Sequence, residues 1–162
     1  MANGSFTIAK GSEVAYHTNV NDNSPTNSAL ILVVLSTTGL VSDATLSAYD
    51  TLAAVLAVND EADNTGYARI TITDTGVVAP VVDDTAGTVT LTLADQTTAA
   101  ITAGDSWAKL LICYDSDTTG GTDANIIPVK YFDIRDPVTG SPIAPSGGTV
   151  THSWPNGYHI AS

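Results

Sequence analysis

The hydrophobic positions of this chain fall into short runs, and most of them read as strands. Residues 29–35 (Ala-Leu-Ile-Leu-Val-Val-Leu) form a continuous apolar run rich in branched side chains, as expected of a central strand covered on both faces. Residues 68–73 alternate, with Ala68, Ile70 and Ile72 on one face and Arg69, Thr71 and Thr73 on the other. Residues 88–93 alternate too. Val89, Leu91 and Leu93 face a core, while Thr88, Thr90 and Thr92 face water or a partner chain. Residues 107–114 and 126–134 give two more strands. Pro128 lies inside the second, which places it at a sheet edge or a bulge. Residues 148–154 give a shorter strand, and 5–9 with 13–18 suggest a pair around Lys10-Gly11.

One segment changes period. Leu46, Tyr49, Leu52, Ala53 and Leu56 recur at spacings of three and four, which predicts an amphipathic helix over 43–57. Ser42 is placed to cap it, and Asp43 sits at the positive end of its dipole. The expected fold is mainly β: a single β-sandwich or barrel-like domain over 1–162, with one helix and extended terminal arms. Residues 136–148 carry three prolines and three glycines, so 136–162 reads as a loop followed by a C-terminal strand or arm that could cross onto a neighbour.

Charge narrows the partners. The chain carries 17 Asp+Glu against 5 Lys+Arg, a net charge of −12. Only Glu13 and Glu61 are glutamates, and aspartate favours turns, so the acidity belongs mainly to loops. Nucleic acid and anionic membranes both require clustered cations, and Lys10, Arg69, Lys109, Lys130 and Arg135 are scattered. No apolar run approaches the ~20 residues of a membrane span. The N-terminus shows no secretory signal, which predicts synthesis and folding in a bacterial cytoplasm.

Candidate chemistry is sparse. In Asp115-Ser-Asp-Thr-Thr-Gly-Gly-Thr-Asp-Ala-Asn125, the residues Asp115, Asp117 and Asp123 fall at calcium-loop positions 1, 3 and 9. Position 12, however, is Ile126 rather than a bidentate Glu, and strands flank the loop. A turn between antiparallel strands accounts for the same residues, with calcium at a subunit contact as the alternative; no other cofactor is expected. Asp83-Asp84 reads as a turn. His17, His152 and His159 show no metal-ligand spacing, and Cys113 among apolar neighbours reads as a buried structural thiol. With no nucleophile motif, P-loop or dinucleotide fingerprint, an enzyme is not expected. Trp154, Tyr158 and His159 gather aromatic surface near the C-terminus, as a contact patch or a sugar-stacking platform.

Several phrases then carry a resemblance. They are Phe6-Thr-Ile-Ala-Lys-Gly11, Ala44-Thr-Leu-Ser-Ala-Tyr-Asp-Thr-Leu-Ala-Ala-Val-Leu-Ala57, Tyr67-Ala-Arg-Ile-Thr71, Val82-Asp-Asp-Thr85 and Ala94-Asp-Gln-Thr97. The run Trp107-Ala-Lys-Leu-Leu-Ile-Cys-Tyr-Asp-Ser-Asp-Thr-Thr-Gly-Gly-Thr-Asp-Ala-Asn-Ile-Ile-Pro128 is the most specific, and Asn156-Gly-Tyr-His-Ile-Ala-Ser162 closes the chain. Together they resemble a family of virion structural proteins of tailed bacteriophages of actinobacteria, whose members are head decoration, minor capsid or minor tail proteins. The resemblance brings no catalytic residues with it. It implies a virion component without fixing its place on the particle; the first expectation is a capsid decoration protein on the outer face of the major capsid protein lattice, where local three-fold positions favour a homotrimer. The expected contact residues are Phe6, Ile8, Trp154, Tyr158 and His159. The alternative is a minor tail or fibre protein that binds host cell-surface carbohydrate.

Overall fold

A computed structural model describes residues 3–161. The strands in chain order are β1 (Asn3–Ser5), β2 (Ala29–Ser36), β3 (Ile70–Ile72), β4 (Val77–Asp83), β5 (Thr88–Leu93), β6 (Gln96–Thr97), β7 (Trp107–Asp115), β8 (Ile127–Asp133), β9 (Thr151–His152) and β10 (His159–Ala161). The helices are α1 (Glu13–Asn21), α2 (Asp43–Leu46) and α3 (Leu52–Leu56). The fold is mainly β, as expected. An antiparallel sheet in the order β1-β8-β7-β2-β3 forms its centre, with a three-stranded sheet β10-β5-β4 and a small pair β6-β9.

Every residue of β2 and β7 is buried. That follows from their position in the middle of the five-stranded sheet, with a layer on each side. Successive side chains on a strand point to opposite faces. Leu30, Leu32 and Val34 therefore join Leu110, Ile112 and Tyr114 beneath Leu91 and Leu93 of the smaller sheet, with Val20 of α1. Ile31, Val33 and Leu35 join Leu111 and Cys113 on the other face, against Phe6 and the helical residues Leu46, Leu52 and Val55. Each fully buried leucine or valine contributes about 1.5–3 kcal/mol. The continuous apolar run of β2 thus reflects two cores sharing one sheet.

Pro128 lies at an irregularity. The β7–β8 register shifts between Ile112 and Cys113, so that Pro128 faces Cys113 while Lys130 faces Ile112. An extra residue there tolerates the missing N–H donor.

Three expectations require correction. The helix over 43–57 is interrupted. Ser42 caps α2 as expected, accepting the N–H of Thr45, but α2 ends after one turn. Thr51 then takes an extended conformation and caps α3 by accepting the N–H of Ala54. The first N–H groups of α3 donate to the carbonyls of Ile126 and Asp123. These tertiary bonds satisfy the helix end and compete with a continuous helix. The second correction concerns the N-terminal pair: residues 7–9 form a 3₁₀ turn and 13–21 form α1. Glu13, His17 and Val20 are buried at helical spacing, and that face prevails over the apparent alternation of Val14 and Tyr16. Gly11 turns the chain with a positive φ of 83°, and its N–H is accepted by the Glu13 carboxylate.

The third correction concerns the arm. The C-terminal segment is extended but lies along its own body. Ile143 exchanges backbone hydrogen bonds with Trp107, Gly147 donates to Ile101, and Tyr158 donates to Leu91. The strand expected at 148–154 shortens to β9, paired with β6.

Candidate functional site

An organised and exposed surface is the outer face of the three-stranded sheet. Its register places Ile160, Thr90 and Val81 side by side across β10, β5 and β4. Thr92 stands opposite Val78, and Thr88 opposite Asp83. Leu91 and Leu93 point the other way into the core. The threonine alternation of β5 therefore has the sidedness that the sequence predicts. Val81 is 58% exposed, Ile160 57% and Val78 43%, high values for branched apolar side chains standing together on one sheet. Residues 81–87 are exposed throughout, so the β4–β5 hairpin stands out with Asp83 and Asp84 at its end.

β4 is an edge strand, but it is not a free template for pairing. Pro80 removes a donor, a register irregularity falls between Val78 and Val81, and Nε2 of His17 binds the Val78 carbonyl. Edge prolines and bulges of this kind oppose strand-to-strand aggregation.

The contact residues expected from the sequence sit differently. Phe6 is fully buried, edge-on to Tyr131 at 5.7 Å between ring centroids. Trp154 and Tyr158 are 8% and 4% exposed and belong to the core. Aromatic size and hydrophobicity drew these residues inside, so they are not open contact surface on this chain. Ile8 is exposed and His159 half-buried. Ile160 of β10 faces outward, whereas Tyr158, just before the strand, faces in.

The acidic loop is organised by an arginine. Asp115 accepts the N–H of Asp117, and Asp117 accepts both the N–H and the hydroxyl of Thr119, which are turn bonds. Asp123 is gripped from β3's flank by Arg69, at 2.6 and 3.0 Å. The same guanidinium holds Glu61 at 2.7 and 2.8 Å, and Glu61 also accepts from Tyr67. Hydrogen bonds from Arg69 hold the Asp123 carboxyl below the usual carboxylate range. Among the described residues no three His, Cys, Asp or Glu side chains converge to hold a metal. The third expected calcium ligand is thus committed to an internal ion pair. Millimolar calcium or EDTA should leave Tm unchanged to within about 1 °C. A calcium-dependent rise of several degrees, reversed by EDTA, would contradict this account of the loop.

All three histidines serve the C-terminal segment. His17 is fully buried; its Nε2–H donates to the Val78 carbonyl at 2.7 Å, so in the neutral ring Nδ1 accepts from the Tyr158 hydroxyl at 2.9 Å. His152 stacks on Trp107, with centroids 6.4 Å apart. His159 accepts from the Lys130 ammonium at 2.7 Å. Burial lowers the pKa of each below its ordinary 6.5, and the charge of Lys130 lowers His159 further. The unfolded chain therefore binds these protons more readily. Their contribution to stability is complete above about pH 6.5 and is lost as pH falls through the lowered values. Thermal melts between pH 7.5 and 5.5 should show Tm falling with acid, and His17→Gln should flatten part of that slope. A Tm that is flat across this window would contradict the assignment. The carboxylates with lowered pKa, Glu13, Asp117, Asp123 and Asp136, act further into acid.

A cleft of about 320 Å³ opens beside the end of β8. Phe132, Trp154, Ile143 and Val150 give it apolar walls, and Asp133, Arg135 and Ser153 give it polar ones. Cys113 faces the opposite core, fully buried, with its thiol pKa pushed up by burial. A group in that state is a poor nucleophile.

No protein-family model, curated protein or solved structure matches the chain. The class that the fold and its surfaces define is a mainly β protein whose outer sheet face exposes Ile160, Val81 and Val78, with Asp83 at the hairpin end.

Proposed function

We propose that this chain is a bacteriophage capsid decoration protein. It docks through the outer face of β10-β5-β4 onto the outer surface of the major capsid protein lattice and stabilises the head. The resemblance of its sequence phrases to virion structural proteins supports this reading. The observation that carries it is the exposed trio Ile160, Val81 and Val78 around the half-buried Thr90, uncharged in a chain of net charge −12. Burial of such a face on a partner contributes free energy at each of many lattice sites.

Charge shapes the partner. Four of the five cations are engaged within the chain: Arg69 with Glu61 and Asp123, Lys109 with Asp43 and Asp133, Arg135 with Asp133, and Lys130 with His159. What faces outward is mainly carboxylate, and free copies repel one another. Homotrimers assemble at local three-fold positions of the shell, on neutral or basic capsid surface. The protein is made in the host cytoplasm and resides on the virion.

The test is co-sedimentation of the purified protein with heads that lack it. Val81→Asp and Ile160→Asp place a charge where the partner must desolvate the face. Each should weaken binding at least about tenfold without lowering Tm, since both side chains are already exposed. Binding equal to that of the unaltered protein would overturn the docking face.

A further inference from the structure

We propose that the cleft beside β8 is a binding site for one pyranose ring of a neutral glycan. The inference is independent of the docking face and shares no residue with it.

The size fits a single ring. Small-molecule sites begin at about 300 Å³, and this cleft is about 320 Å³. Its walls are of two kinds. Phe132, Ile143, Val150 and Trp154 offer carbon surface, as the C–H face of a sugar requires. Arg135 and Ser153, both exposed, offer donors and an acceptor to ring hydroxyls. The contact of Arg135 with Asp133 is long, at 3.6 Å, and a guanidinium carries five N–H donors, so it can serve a ligand while remaining paired.

Charge then selects among ligand classes. Asp43 and Asp133 balance Lys109 and Arg135 in one linked group, so the site is close to neutral. A wholly apolar ligand would strip water from Arg135 and return no hydrogen bond. An anion would meet Asp133 and the acidity of the whole chain, and a cation would meet Arg135. A neutral polyol with one apolar face meets none of these costs. The stacking platform predicted at Trp154 is thus a cleft wall rather than an open surface.

The chain reports on its own site. Trp107 is fully buried, with its Nε1–H on the Asn64 side-chain oxygen, whereas Trp154 lines the cleft. Ligand-dependent tryptophan emission should therefore come from Trp154. The experiment titrates the full chain with methyl α-glucoside, methyl α-mannoside, methyl β-galactoside and N-acetylglucosamine, following emission and amide NMR shifts. At least one sugar should shift emission saturably, with Kd of about 1 mM. Arg135→Leu should weaken that sugar about tenfold at unchanged Tm, with NMR shifts confined to 132–135 and 150–154. Val81→Asp, on the docking face, should bind the sugar as the unaltered protein does. Absence of saturation by every sugar, or full affinity in Arg135→Leu, would overturn the proposal. Because the titration uses no capsid, failure here leaves the docking reading standing, and failure of docking leaves the sugar site standing.

Discussion

Lys109→Ala lowers the unfolding free energy by about 3–5 kcal/mol. Lys109 stands third in β7 and is only 4% exposed. Its ammonium lies between Asp133 and Asp43 and over the Tyr131 ring, 5.1 Å from the centroid. Burial alone would pull its pKa down, but the hydrogen bonds it donates to both carboxylates outweigh that and hold it above its ordinary value. Removing the cation leaves Asp133 poorly solvated beside a second carboxylate and opens space under Tyr131. The penalty comes mainly from two carboxylates, Asp133 and Asp43, losing the cation they share, with Arg135 still 3.6 Å from Asp133. Lys109→Ala combined with Asp133→Asn should therefore cost less than the single change, a non-additivity that marks coupled groups. Urea unfolding at constant m-value measures both. A loss below about 1 kcal/mol for the single change would contradict the account.

Arg69→Leu should cost about 2–3 kcal/mol, and at this chain length lower Tm by roughly 5–10 °C. The guanidinium makes four contacts within 3.0 Å to two carboxylates. It thereby ties the segment after α3 to the loop between β7 and β8. Loss of Arg69 also disturbs Tyr67, whose hydroxyl donates to Glu61 and accepts the N–H of Val34. The expected loss is smaller than for Lys109 because the three side chains are 22–36% exposed, so water screens the stranded carboxylates. Raised salt should narrow the gap between Arg69→Leu and the unaltered protein, whereas the Lys109→Ala deficit should persist. Equal Tm for Arg69→Leu and the unaltered protein would show that the loop is held by other means.

The strands were legible in the sequence because their burial leaves a local mark. The run 29–35 could be continuous only in a strand with a core on each side, and β2 has both. The alternation of 88–93 likewise gave the inner and outer faces of β5. The segment 43–57 departs from a continuous helix for a reason outside its own residues. Its apolar spacing is intact, yet Ile126 and Asp123 supply carbonyls to the N–H groups at 52 and 53. No local pattern signals a hydrogen-bond partner some 70 residues away. The same holds for Arg69. An arginine on an alternating strand reads as a solvent-facing residue, and only the fold brings Glu61 and Asp123 to it.

The aromatic contact patch failed for a related reason. Trp154 and Tyr158 lie near the end of the sequence, where exposure is the usual expectation. The segment instead returns to β5 and β6, and their rings fill the core beneath it. The signal that did survive is the threonine face of β5. Its neighbours Val81 and Ile160 could not be assigned to it without the register of β4 and β10.

The most direct test of the decoration reading is the copy number of this chain in purified virions of the phage that encodes it, measured by quantitative mass spectrometry against the major capsid protein. Lattice decoration predicts a ratio near one, or near one third for a single copy at each local three-fold position. A ratio of a few per cent would place the chain at the tail or a vertex, and absence from the particle would remove it from the virion; either result contradicts the proposal.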